Sequence, residues 1–168
     1  MLIRLPDTKG HFEDFKLGGK SVPAAKLPAD PARVVFSAAH VVADPFAADH
    51  PSGRGAVDWD ATMAFRRHLH DLGLGIAEAM DTAQRGMGLD WPGALELIRR
   101  TRAELPGALV FNGCGTDQLA AADARGLDDV RRAYFEQVEA IQALGGRLIV
   151  MASRALTATA KSPREHRS

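Results

Sequence analysis

A single cysteine, Cys114, stands among the 168 residues, so no intrachain disulfide can form and a zinc site built on several cysteines is excluded. Net charge is also missing, because 21 lysines and arginines balance 21 aspartates and glutamates. That balance argues against a nucleic-acid or anionic-membrane partner, since both need a clustered excess of basic side chains. No apolar run approaches the roughly 20 residues that span a bilayer. The opening Met1–Pro6 breaks into charge and proline too early for a secretory leader. Neither a dinucleotide fingerprint nor a phosphate-loop lysine is present. The expectation from these absences is a cytoplasmic protein without cofactor, nucleic acid or membrane. What is there, 46% hydrophobic and 25% charged residues, suits an ordinary folded domain.

The first thirty residues differ from the rest. Met1–Leu5 and His11–Leu17 alternate loosely around Pro6–Gly10, which reads as a hairpin. Ser21–Pro31 carries Pro23, Pro28 and Pro31 and reads as a linker. The chain thus divides into residues 1–31, hairpin and linker, and residues 32–168, where a pattern repeats. Apolar runs at Arg33–Ala39, Leu74–Met80, Ala108–Asn112 and Arg147–Ala152 are expected to be strands buried on both faces. Between them lie amphipathic stretches. Asp58 caps a helix over Trp59–Leu72 with Ala61, Phe65, Leu69 and Leu72 inward, and Gly73 closes it. Asp90 caps a second over Trp91–Glu104, with Pro92 in its first turn and Trp91, Leu95 and Ile98 inward. Asp128 opens a third, with Val130, Tyr134, Val138 and Ile141 on one face and Gly145-Gly146 at its end. A fourth is expected from Pro163 onward. Strand–helix alternation at this spacing implies parallel βα repeats. Two architectures fit: an open doubly wound sheet, or half of a (β/α)8 barrel, since a whole barrel needs roughly 200–250 residues.

In either architecture a site lies where loops leave the carboxyl ends of the strands. Unusual chemistry gathers there: Ser37, His40 and Asp44 after the first repeat strand; Glu78, Asp81, Thr82 and Arg85 at the second; Asn112, Cys114, Thr116 and Asp117 at the third; Ser153 and Arg154 at the fourth. The opposite ends are short and bland. Glu78 is the sharpest observation, because a carboxylate in an apolar strand costs several kcal/mol unless paired or protonated. It reads either as a general acid/base aimed into a barrel mouth, or as a structural partner for Arg33, Arg85 or a backbone donor. Asp81 shares the acid/base role and Thr82 offers a hydroxyl. Arg85 or Arg154 would clamp an anion, while Ser37, His40, Asn112, Thr116 and Asp117 would bind or orient a small-molecule substrate. No metal-ligand motif is present; His40, Glu78 and Asp117 are the residues that would hold a divalent ion if one bound. Cys114 reads as a buried thiol, His68 and His70 as solvated, and Lys161 as exposed.

The stretches VVFSAAHVVADP (34–45), VDWDATMAFRRHL (57–69), GIAEAMDTAQRGMGLDWPGALEL (75–97), NGCGTDQ (112–118) and LIVMASRAL (148–156) together resemble a bacterial family of dihydrodipicolinate synthase-like proteins. The resemblance covers nearly the whole chain. It implies the aldolase-type (β/α)8 superfamily, which makes or breaks carbon–carbon bonds on pyruvate-like substrates through a lysine Schiff base. The superfamily's Gly-Thr-Thr-Gly-Glu motif after the second strand is here Ala79-Met80-Asp81-Thr82-Ala83, so only Thr82 keeps the hydroxyl and Asp81 stands where an anion would sit. The tyrosine-bearing end of the fourth strand is here Met151-Ala152-Ser153-Arg154. The Schiff-base lysine belongs to the sixth strand, beyond this chain. The resemblance therefore implies an N-terminal half barrel, truncated before that lysine. Its open edges would invite self-association, and by itself it is either part of a lyase, with a metal-assisted aldolase or isomerase using His40, Glu78 and Asp117 as a variant, or a non-catalytic oligomerising unit.

Overall fold

In the computed structural model, residues 2–16, 18–19, 33–44, 47 and 56–165 are described. An antiparallel hairpin pairs β1 (Leu2–Pro6) with β2 (Phe12–Lys16), Leu2 lying opposite Lys16 and Pro6 opposite Phe12. The repeats follow as β3 (Phe36–Ala38), α1 (Trp59–Asp71), β4 (Gly75–Glu78), a 3-10 turn (Asp81–Ala83), α2 (Trp91–Glu104), β5 (Val110–Cys114), α3 (Leu127–Ala143), β6 (Arg147–Val150) and α4 (Arg154–Thr159). The expected linker at Ser21–Pro31, and most of the long loop before α1, lie outside the described residues.

Strand order decides between the two architectures. The four strands lie side by side in chain order, β3-β4-β5-β6, and every pairing is parallel. A doubly wound sheet reverses its order at a switch point to place helices on both faces. Here the order never reverses, so connections of one hand put all the helices on the same side. Successive helices accordingly touch: α1 against α2, α2 against α3, and α3 against α4. The fold is α/β, four βα repeats of a (β/α)8 barrel left open, with an N-terminal hairpin.

Helix limits follow from local chemistry. Asp58 Oδ1 accepts from the Ala61 N–H at 2.9 Å and Asp90 Oδ1 from the Gly93 N–H at 3.0 Å, each filling an orphan donor of a first turn. Gly73 takes φ +83° after α1, a left-handed geometry that only glycine adopts without strain. Other expectations shift. α3 opens at Leu127 with Gly126 before it, so Asp128 and Asp129 sit within its first turn, where carboxylates favour the helix dipole. The fourth helix is Arg154–Thr159, capped by the Ser153 hydroxyl, and Pro163–Glu165 form only a turn.

Alternation along each strand separates two faces. Ile76, Glu78, Val110, Asn112 and Cys114 point to the helices. Phe36, Ala77, Phe111 and Gly113 point to what would be the barrel interior. Phe36 meets Phe111 edge-to-face at 5.3 Å, with the Arg147 guanidinium over Phe111. Gly75 lets this happen, because a Cβ there would sit 2.7 Å from the Phe36 ring. β4 is buried on both sides, and β5 is buried except at half-buried Phe111. In the outer runs Val34, Val35 and Val150 are exposed, since a strand at the edge of an open sheet lacks one neighbour.

The core lies between sheet and helices, built on Ile76, Val110, Leu69, Leu97, Ile98 and Ile141. Its helix stripes are displaced from the purely apolar ones that the sequence suggests. The deepest positions are Thr62, Met63, Arg66 and Leu69 on α1, and on α2 Ala94, Leu97 and Thr101 beside the expected Trp91 and Ile98. On α3 they are Val130, Ala133, Gln137 and Ile141. Arg66, Thr101 and Gln137 are wholly buried polar side chains.

Candidate functional site

Glu78 does not face the barrel interior. It lies on the helix side of β4 with no solvent exposure. Its Oε2 accepts from Arg66 Nε (2.7 Å) and Thr101 Oγ1 (2.5 Å), and its Oε1 from Arg66 Nη2 (2.6 Å) and the Ala79 N–H (2.9 Å). Every direction from which a substrate proton would come is taken. Arg66 also donates to the His40 carbonyl at 2.8 Å and the Thr62 carbonyl at 3.1 Å, joining α1, β4 and the chain after β3. The two-pronged charged contact is the geometry that makes a buried ion pair tolerable. Of the readings open for Glu78, the structural one holds, with Arg66 as a partner that neither Arg33 nor Arg85 supplies.

Beyond Glu78 the backbone turns sharply. Ala79 (φ 52°) and Gln84 (φ 64°) both adopt the left-handed conformation without being glycine, at a cost of about 1–3 kcal/mol each. Ala79 is held from both sides: Glu78 receives its N–H, and its carbonyl accepts from Arg85 Nη1 at 3.0 Å. These two residues bracket the 3-10 turn that carries Asp81 and Thr82.

Arg85 is 4% exposed. Its Nη1 also donates to the Gly113 carbonyl (3.0 Å), its Nε to Asp117 Oδ2 (3.1 Å), and its Nη2 to Gln137 Oε1 (3.0 Å) and Asp117 Oδ1. A guanidinium has five N–H groups, and all five are engaged within the protein. Arg85 therefore is not the anion clamp; it ties the carboxyl ends of β4 and β5 together, over the Trp91 ring. Gln137 completes the hub. Its Oε1 also takes the Gly115 N–H at 2.7 Å, and its Nε2 donates to Asp117 Oδ1 (3.0 Å) and Gln118 Oε1 (2.6 Å). Burial raises the Asp117 pKa, but hydrogen bonds from Arg85 and Gln137 outweigh it and hold the carboxyl below its usual value. Cys114 is fully buried; burial lifts its thiol pKa, with Arg85 opposing. It is a packed thiol without nucleophilic character.

At the carboxyl edge of the sheet a cleft of about 260 Å³ opens, walled by Asp81, Arg85, Thr116, Asp117 and Arg154, with Gly86, Gly115 and Met151 among its other linings. Since Arg85 and Asp117 neutralise each other, Asp81 and Arg154 are the charges left available. Both are exposed, and neither has a side-chain partner among the described residues. Thr116 is 4% exposed and its Oγ1 lies 2.6 Å from Ser153 Oγ.

Five of the sequence-derived candidates thus meet: Asp81, Arg85, Thr116, Asp117 and Arg154. The other five do not. Glu78 lies behind the sheet. Thr82 is exposed on the 3-10 turn, outside the cleft lining. Ser37 is half-buried on the helix side of β3, and His40 packs its ring on Phe65 at 4.5 Å. Asn112 is buried toward the helices; its Nδ2 donates to the Arg147 carbonyl and its Oδ1 has no partner among the described residues. His40, Glu78 and Asp117 form no metal-ligand group, and no cluster of three His, Cys, Asp or Glu among the described residues could hold a metal ion. No described helix is long and apolar enough to cross a membrane. Arg66 and Gln137 are structural contributors that strand-end reasoning overlooks, whereas Ser153, which that reasoning places at the end of the fourth strand, caps α4. Polar residues recurring within otherwise inward-facing helix stripes are the signal for the first two.

Over residues 3–168 the chain matches a family described as "Protein of unknown function (DUF993)" and belongs to it. No curated protein matches it.

Proposed function

We propose that this member of the DUF993 family acts on a small oxo-acid or related carbonyl compound, in the cleft at the carboxyl edge of its sheet, by aldolase-type carbon–carbon lyase chemistry. One observation carries the reading. A small cleft at the strand ends presents one unpaired cation, Arg154, and one unpaired carboxylate, Asp81, on a framework whose other charges neutralise each other. Arg154 binds the substrate carboxylate. Asp81 takes or returns a proton at the carbon beside the carbonyl, and Thr116 orients the carbonyl oxygen. No lysine lines the cleft among the described residues, so these side chains account for proton transfer and orientation and not for a Schiff base.

The test is exchange of the methyl protons of pyruvate in deuterated buffer, followed by proton NMR. The protein should accelerate exchange over buffer, and Asp81→Asn and Arg154→Ala should each abolish the acceleration. Exchange no faster than buffer, or unaltered by both substitutions, refutes the reading.

The edges favour a further property, association with another copy. Two parallel strands lie open at the margins of the sheet, with Val34 and Val35 just before β3 and Val150 at the end of β6 exposed, and unpaired edges invite strand addition.

A further inference from the structure

We infer that the Thr116 hydroxyl meets the substrate's carbonyl oxygen, and that Ser153, outside the cleft lining, is the positioning residue that sets which way the Thr116 proton points. The inference rests on the reading of the cleft given above and adds Ser153, which sets the direction of the hydroxyl that distinguishes an oxo-acid from a simple acid.

Thr116 and Ser153 come from different repeats, the first following β5 and the second following β6, yet their hydroxyl oxygens are 2.6 Å apart. Both side chains are buried, at 4% and 5% exposure. Thr116 lines the cleft; Ser153 does not. A hydroxyl has one proton to give and two lone pairs to fill. One lone pair of Ser153 is occupied by the Leu156 N–H at 2.9 Å, the cap of α4.

Two proton arrangements remain. In one, Ser153 donates to Thr116, and the Thr116 proton is free to point into the cleft. In the other, Thr116 donates to Ser153, which then fills both lone pairs of Ser153 and sends its proton to another oxygen. Thr116 thus faces the cleft either as donor or as acceptor, without any formal charge.

A ligand oxygen that gathers negative charge selects the donor arrangement, and a ligand hydroxyl selects the other. With Arg154 on the carboxylate, Thr116 is the neutral donor that a carbonyl oxygen can use.

The experiment measures the affinities of pyruvate and propionate, which differ by the oxo oxygen, by titration calorimetry on the full chain. The unsubstituted protein should favour pyruvate. Thr116→Val should weaken pyruvate about tenfold, the size of one hydrogen bond, and leave propionate unchanged. Ser153→Ala should lower the pyruvate-to-propionate preference in the same way, and Ser153→Thr, which keeps the hydroxyl, should restore it. A role of Ser153 confined to capping α4 would shift both acids together. Arg154→Ala should weaken both acids equally.

If Arg154→Ala weakens both while Thr116→Val and Ser153→Ala leave the preference intact, the inference is overturned and the cleft reading survives. If Arg154→Ala changes neither affinity, or the unsubstituted protein binds neither acid, the cleft reading fails and takes the inference with it.

Discussion

Replacing Glu78 with glutamine tests whether this carboxylate is scaffold or chemistry. In the folded protein it receives four hydrogen bonds, two from Arg66 and one each from Thr101 and the Ala79 N–H, at complete burial. Glutamine keeps the volume but leaves the Arg66 guanidinium as an uncompensated buried charge and turns two acceptor positions into donors. Breaking a buried pair from one side costs about 3–5 kcal/mol, a large part of the roughly 5–15 kcal/mol that holds a typical domain together. For a chain of this size each kcal/mol moves the melting temperature by about 2–4 °C, so Glu78→Gln should lower it by roughly 6–20 °C. Removing both charges, as in Glu78→Gln with Arg66→Met, eliminates the stranded cation and should recover at least half of the loss. Urea unfolding, with midpoints compared at constant slope, measures both. A single substitution costing under about 1 kcal/mol, or a double variant as unstable as the single one, would refute the argument. So would an unaltered melting temperature accompanied by lost ligand binding.

The Asp117 carboxyl has a folded pKa below its usual value of 3.8, so the folded state binds its proton more weakly than the unfolded chain does. Its contribution is complete above about pH 4 and is lost as pH falls through the lower folded value; Asp117→Asn should flatten that acid limb in melts recorded from pH 6 down to pH 2. Gly113→Ala would place a Cβ 2.6 Å from the Ala79 carbonyl oxygen and 3.0 Å from the sulfurs of Met80 and Met151. Because the nearest atom is backbone held by Arg85, overpacking should cost about 1–3 kcal/mol, and an unchanged unfolding midpoint would contradict the described packing. Sedimentation equilibrium should show mass rising with concentration above the 18.0 kDa chain, with Val150→Lys on the open edge reducing the rise; an invariant monomer would remove the case for edge pairing.

The repeat itself was legible because strands and helices announce themselves locally. Asp58, Asp90 and Gly73 act within one turn of the residues they cap, so their roles need no tertiary knowledge. Which face of β4 carries Glu78 was not legible. Alternation groups Ile76 with Glu78 but does not tell the helix side from the interior, and the deciding partner, Arg66, sits in a stripe that charge alone would assign to solvent. Arg85 misled for a related reason: two of its acceptors are main-chain carbonyls of residues 79 and 113, and a carbonyl has no signature in sequence. The pairing of Thr116 with Ser153 joins two repeats across the end of the sheet, a distance no local pattern spans.

With every N–H of Arg85 answered by the protein itself, the side of the cleft nearest β5 is shaped before any guest arrives. The opposite walls are a single three-residue turn and a six-residue helix, each bearing one charge without a side-chain partner among the described residues. The floor of the cleft is thus set by bonds the protein makes to itself, and the two free charges stand on its shortest helical elements.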